Sequence, residues 1–181
     1  TLEVLENARH IVAGQDLSPK RTRSTLTAAL FHDVGRFPQY ATYRTFHDSR
    51  SENHALLGAK TLHREGLLDQ LQALTPSERA LVKGAVALHN KLALPRHISD
   101  DLRAMTYVVR DADKIDIMRV MIDHLTREDG QDPVVFLHVK NEPEVYTESI
   151  YQSVLNGSLG DYRELQTVND FILLQLGWVY D

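Results

Sequence analysis

Apolar residues return every third or fourth position along most of this 181-residue chain, and no stretch alternates long enough to supply a sheet. That periodicity constrains the fold more than any other feature, because amphipathic helices must bury their stripes against one another. The spacing predicts a first helix over residues 1–14, ending near Gly14. Ser18-Pro19 caps and opens a second helix running to about Asp33, since serine accepts a first-turn N–H and proline there loses no hydrogen bond. Residues 35–51 carry Gly35, Pro38 and many polar side chains without periodicity, and read as a long loop. Asn53 caps a helix over 54–65 that stops at Gly66, and Thr75-Pro76-Ser77-Glu78 is a capping box opening a helix to about Asn90. After a loop over 91–99, Ser99 or Asp100 caps a helix towards Asp123. Beyond Gly130 the pattern weakens, with helices expected around 142–156 and 161–177 and with Val134-Val135-Phe136-Leu137 as a short strand or a buried extended stretch.

Cysteine is absent, so disulfides, thiolate zinc sites and iron–sulfur clusters are excluded, and any metal must be held by histidine, carboxylate or water. A net charge of −5 argues against DNA or RNA as partners, while leaving room for a local basic pocket. No apolar run is long enough to span a bilayer and no signal-peptide pattern is present. A cytoplasmic protein without a membrane partner is expected. The chain opens at Thr1 already inside an amphipathic pattern, which reads as a trimmed N-terminus.

Helical wheels, turning by about 100° per residue, show where the polar residues point. In the second helix Leu26, Ala29, Leu30 and Asp33 share a face, with Asp33 near its middle and His32 at its edge. His54 shares a face with Leu57, Gly58, Thr61 and Leu62, and His89 with Leu81, Val82 and Ala85. In the helix after residue 100, Leu102, Met105, Val109 and Ala112 form the stripe that also holds Asp113 and Asp116, while Asp111 points away. One inward histidine is an ordinary core residue satisfied by a hydrogen bond. Ligand-type residues aimed inward from four helices are another matter, because buried carboxylates are costly without a cation. Neutral imidazole with ionised carboxylate is also the donor set that a divalent transition metal takes in a protein lacking cysteine.

The His32-Asp33 pair at a helix end, followed by Val34-Gly35 and by a distant Arg110-Asp111-Ala112-Asp113-Lys114-Ile115-Asp116, resembles the HD superfamily of metal-dependent phosphohydrolases. The resemblance covers roughly residues 1–120 and implies an all-α HD-domain helical bundle, here over 1–125, with a smaller helical extension over 126–181 packed on it. His54 in HALLGA and His89 in ALHN match the additional histidines of subfamilies that hold two metals. The family's first histidine has no match. His10 lies opposite Leu5, Ala8 and Val12 and is read as a surface residue, and the missing ligand is expected directly before Thr1.

The resemblance implies one or two divalent ions (Mn, Fe, Mg, Co, Ni or Zn) that activate a water against a phosphate ester. His32, Asp33 and Asp113 would hold the first ion, and His54 and His89 would complete a second or contact phosphate. Asp33 would bridge, Arg36 and Lys114 would neutralise phosphate charge, and Asp116 would orient a ligand from behind. The expected substrate is a small phosphorylated molecule, a phosphomonoester, phosphodiester or nucleotide, with homo-oligomers left open. Arg36-Phe37 departs from the acidic residues of guanosine tetraphosphate hydrolases and from the glutamate of bacterial 5′-deoxynucleotidases. His89-Asn90-Lys91 lacks the His-His-Glu of cyclic-di-GMP phosphodiesterases. The alternative is a metal- or nucleotide-binding sensor module with weak turnover.

Overall fold

The computed structural model describes residues 2–126 and 139–180. Among the described residues the helices are α1 Leu2–Ala13, α2 Pro19–Phe31, α3 Arg36–Tyr43, α4 His54–Arg64, α5 Pro76–Leu88, α6 Asp100–Leu125, α7 Glu148–Leu155 and α8 Val168–Gly177. Three 3-10 turns, Asp48–Arg50, Tyr162–Glu164 and Trp178–Tyr180, complete the regular structure. Among the described residues one β-bridge is present, Lys140 to Thr167, and it is isolated. The fold is all-α. The chain divides into two compact units, Thr1–Asp116 and Ile117–Asp181.

Helix starts follow their capping chemistry. The Ser18 side chain accepts from Arg21 N, Asn53 from Leu56 N, and Thr75 with Glu78 forms a reciprocal capping box. Gly66, with φ of +59°, takes the left-handed position that ends α4.

Residues 35–51 correct the sequence reading, for they hold α3 and a 3-10 turn rather than a long loop. Pro38 is the third residue of α3, where a backbone N–H has no intrahelical acceptor, so the ring breaks nothing. Its single buried residue is Gln39, while Phe37, Tyr40 and Tyr43 are exposed, so no apolar stripe marks the helix. The late helices are also shorter than expected: α7 starts at Glu148, and the stretch from 161 begins as a 3-10 turn before α8. The expected strand at Val134–Leu137 lies outside the described residues.

The core of the first unit joins Val4, Ala8 and Val12 of α1, Ala28 and Ala29 of α2, Leu62 of α4, Val82, Ala85 and Val86 of α5, and Met105, Val108, Val109 and Ala112 of α6. Alanine and valine at these contacts let backbones approach closely, and the Asn7 amide ties α1 to the Ala112 carbonyl of α6 at 3.0 Å.

In the second unit Met121, Val168 and Phe171 pack with Ile117, Val139, Leu165 and Ile172. Asp170, fully buried, accepts from the backbone N–H groups of Thr147, Gln166 and Thr167 and from the Thr147 hydroxyl. Burial pushes its carboxyl up, but these donors outweigh burial and hold it below the usual carboxylate range. Asp170→Ala is expected to destabilise this unit by about 2–3 kcal/mol, having stripped one acceptor from several donors. With a depressed folded pKa, the wild-type contribution is complete above the unfolded value of about 3.9 and fades as pH falls through the folded one. Fluorescence of the single tryptophan, Trp178, followed through acid unfolding checks both the loss and the flattened acid limb in Asp170→Asn.

Candidate metal centre

Two helices of the first unit end in a histidine. His32 is the C-cap of α2 and His89 the C-cap of α5. Each Nδ1 reaches back to a carbonyl three residues earlier, Ala29 O at 2.7 Å for His32 and Val86 O at 2.8 Å for His89. A last-turn carbonyl is left unsatisfied by the helix itself, so the imidazole completes it. A carbonyl only accepts. Nδ1 therefore carries the proton and, in the neutral ring, Nε2 keeps its lone pair.

His54 opens α4 and is buried, and its Nδ1 donates to Asp48, 2.8 Å from Oδ2 and 2.9 Å from Oδ1. All three rings thus turn Nε2 towards one another. His54 Nε2 and His89 Nε2 lie 3.2 Å apart, with His54 Nε2 at 3.4 Å and His89 Nε2 at 3.9 Å from Asp33 Oδ1. His32 Nε2 sits 3.4 Å from Asp113 Oδ1 and 3.7 Å from Asp33 Oδ2.

Among the described residues two sets are compact enough to ligate an ion: His32, His89 and Asp113, and Asp33, His54 and His89. The donor set passes a physical test for a cation. His32 Nε2 is buried without a hydrogen-bond partner, and two imidazole lone pairs facing each other at 3.2 Å repel unless something positive lies between them. Electrostatics favours the same state. Burial raises the Asp33 carboxyl, but His32, Arg36, His54 and His89 together pull it below its ordinary range. Burial and the neighbouring His32 push His89 down to about 4, leaving it neutral at physiological pH. Burial opposes charge on His32 too, yet the Asp113 and Asp33 carboxylates win and raise it, so a proton competes with a metal there.

The five residues expected as ligands, His32, Asp33, His54, His89 and Asp113, are brought together. One detail of the wheels is corrected. His32 is 1 % exposed, and Asp33, expected at the centre of the stripe, keeps 32 % of its side chain exposed. The fully buried positions of α2 are Ser24, Thr25, Ala28 and Ala29, small residues that pack closely, while Leu26 is partly buried against the core and Leu30 is exposed. Arg36 does not hang free. Its Nε donates to Asp33 Oδ1 at 3.3 Å and its Nη1 to the Phe46 carbonyl at 2.7 Å and Gln39 Oε1 at 3.3 Å, with Asp48 Oδ1 at 3.5 Å. Lys114 and Asp116 are half-buried on α6 beside and one turn beyond Asp113, and His10 is exposed on α1.

Asp48, Gln39 and Asn90 escaped the sequence reading, although Asp48 and Asn90 border His54 and Gln39 holds Asp48. Besides His54, Asp48 accepts from Gln39 Nε2 at 2.9 Å and Asn90 Nδ2 at 3.2 Å, and from the His54 backbone N–H at 3.3 Å. An acidic residue a few positions ahead of a helix start is the one signal available, because the helix N-terminus favours a negative charge. Gln39, a buried amide on a helix without an apolar stripe, leaves none.

A family model described as HD domain matches residues 1–119, a stretch that contains the whole cluster. No curated protein and no solved structure matches the chain.

Proposed function

The chain belongs to the HD domain family, and from that premise we propose that it is a metal-dependent phosphohydrolase whose substrate is a small phosphomonoester, phosphodiester or nucleotide. The observation that carries this reading is the meeting of three Nε2 atoms with the Asp33 and Asp113 carboxylates, with His32 Nε2 buried and no closer to a carboxylate than 3.4 Å.

His32, Asp33, His54, His89 and Asp113 would hold one or two divalent cations. The chemistry such a cation supplies when bound is a water acidic enough to ionise near neutral pH and a polarised phosphoryl oxygen. The remaining work falls to the chain. Asp33, ionised and placed between His32 and His54, presents an oxygen to each side. Arg36, tethered to Asp33 and to the Phe46 carbonyl, fixes a positive charge beside the centre, where a phosphate would be drawn. Lys114, next to Asp113, would add a second cation, and Asp116, one turn beyond Asp113, would orient a ligand histidine.

The test is a panel of nucleotides, p-nitrophenyl phosphate and bis(p-nitrophenyl) phosphate, assayed after loading with Mn, Fe, Co, Ni, Mg or Zn. Hydrolysis that vanishes on chelation and returns with metal is the expected result. A protein that takes up metal yet cleaves none of these compounds would refute the proposal. No helix among the described residues is long and apolar enough to cross a membrane.

A further inference from the structure

We propose that Asp48 is the positioning residue of this centre: it locks His54 in the Nδ1-protonated tautomer, so that Nε2 faces the metal, and Gln39 and Asn90 hold Asp48 in place. The inference rests on the metal-centre reading for its consequence, although the tautomer is a property of the metal-free chain.

His32 and His89 find their Nδ1 acceptors in the last turns of their own helices. His54 cannot. It is the first residue of α4, and the chain before it, Ser51 to Asn53, is not helical, so no carbonyl of a preceding turn lies beneath its ring. Asp48, on the 3-10 turn Asp48–Arg50, fills that role with both carboxylate oxygens and also takes the His54 backbone N–H. A carboxylate in place of a carbonyl makes the ring a stronger donor at Nε2, the atom that faces His89 and Asp33.

Asp48 is itself over-determined. Gln39, fully buried, gives its Nε2 to Asp48 Oδ1 at 2.9 Å and reaches Ser51 Oγ at 2.9 Å and the Glu52 carbonyl at 3.0 Å. Three acceptors around one amide nitrogen fix which way the amide faces. Asn90 Nδ2 and Asn53 Nδ2 meet Asp48 Oδ2 at 3.2 and 3.3 Å. Asn90 follows the ligand His89 directly, and Arg36 spans Asp33 and Asp48. Asp48 therefore ties α3, the start of α4 and the end of α5 to one ligand ring. These contacts also satisfy a buried imidazole and the first N–H of α4, so metal affinity and tautomer, rather than stability, are the readouts that separate positioning from a role in the fold.

Two measurements decide it. In the metal-free protein at alkaline pH, nitrogen NMR of neutral His54 is expected to show Nδ1 protonated and Nε2 bare, and Asp48→Asn is expected to mix the two tautomers. Metal affinity is then measured by chelator competition in wild type, Asp48→Asn, His54→Ala and the double variant. Asp48→Asn is expected to weaken binding about 10–100-fold, and the double variant to bind as His54→Ala does, because Asp48 acts only through that ring. Gln39→Glu, which sets a like charge against Asp48 without changing shape, is expected to weaken binding in the same direction if Asp48→Asn fails to fold. An Nε2–H tautomer in wild type, wild-type affinity in folded Asp48→Asn, or a full extra loss in the double variant would each overturn the inference. A wild type that binds no metal overturns the metal-centre reading instead, and the tautomer still decides Asp48.

Discussion

Alanine at Gly35 is expected to cost more than about 3 kcal/mol, enough to unfold a domain of ordinary stability or leave it only partly folded. The reason is space. A Cβ on Gly35 would lie 2.0 Å from the His54 carbonyl oxygen and 2.5 Å from the Gly58 nitrogen, both backbone atoms that no rotamer change can move. The turn carrying His32 and Asp33 rests directly on the first turns of α4, and this contact sets the spacing between Asp33 and His54. Gly58 supplies the comparison. Its Cβ would meet Val86 Cγ1 at 3.1 Å, a side-chain methyl that can shift by a few tenths of an ångström, and the Gly35 backbone nitrogen at 3.3 Å, a far milder approach than 2.0 Å. Gly58→Ala should therefore fold and lose only about 1–2 kcal/mol. Thermal and urea unfolding of the two variants side by side checks the ranking, and a Gly35→Ala protein as stable as Gly58→Ala would show that the two backbones do not touch in solution.

Asparagine at Asp33 is expected to lower kcat/KM by about a thousandfold or more while the helices stay formed. The substitution is isosteric and removes only the charge. That charge lies within ion-pairing reach of His32, His54, His89 and Arg36, twice as many ionisable partners as Asp48 has. Metal analysis after loading should show reduced uptake alongside the lost turnover, and circular dichroism should match wild type. Activity within tenfold of wild type in Asp33→Asn would place the chemistry elsewhere. The two variants separate geometry from charge: Gly35→Ala removes the seat and Asp33→Asn the occupant.

The helices that carry ligands were readable because their boundaries are local chemistry. Ser18, Asn53 and the Thr75–Glu78 box cap the helices that the sequence assigns to them. Periodicity sees apolar side chains moving to a core, and α3 sends an amide there instead, so it was invisible. The same blindness hid Asp48, which stands in the segment between α3 and α4 and acts on a ring six residues later. Within α2 the wheel set the stripe on Leu26, Ala29, Leu30 and Asp33; Ala29 and Leu26 do face the core, but its centre lies on Ser24, Thr25 and Ala28, which carry no apolar signal as strong as leucine's. The direction of His32 and Asp33 was consequently off by one position, although both reach the centre. The Thr167–Asp170 box that starts α8 is built of the same residue types as the others, but it follows a 3-10 turn that prolongs the apparent pattern backwards.

The hydrogen bonds of the three histidines carry a consequence for folding. Each Nδ1 finds its acceptor close by in sequence, three residues away for His32 and His89 and six for His54. The meeting of Nε2 atoms, by contrast, spans 35 residues between His54 and His89. Short-range contacts form early and long-range ones late. On that ordering the Nδ1 bonds of His32 and His89 are expected before the helices dock, and the three Nε2 atoms are expected to meet only on docking. Metal added during refolding is therefore expected to leave the folding rate unchanged and to slow unfolding, because single imidazoles on undocked helices do not chelate.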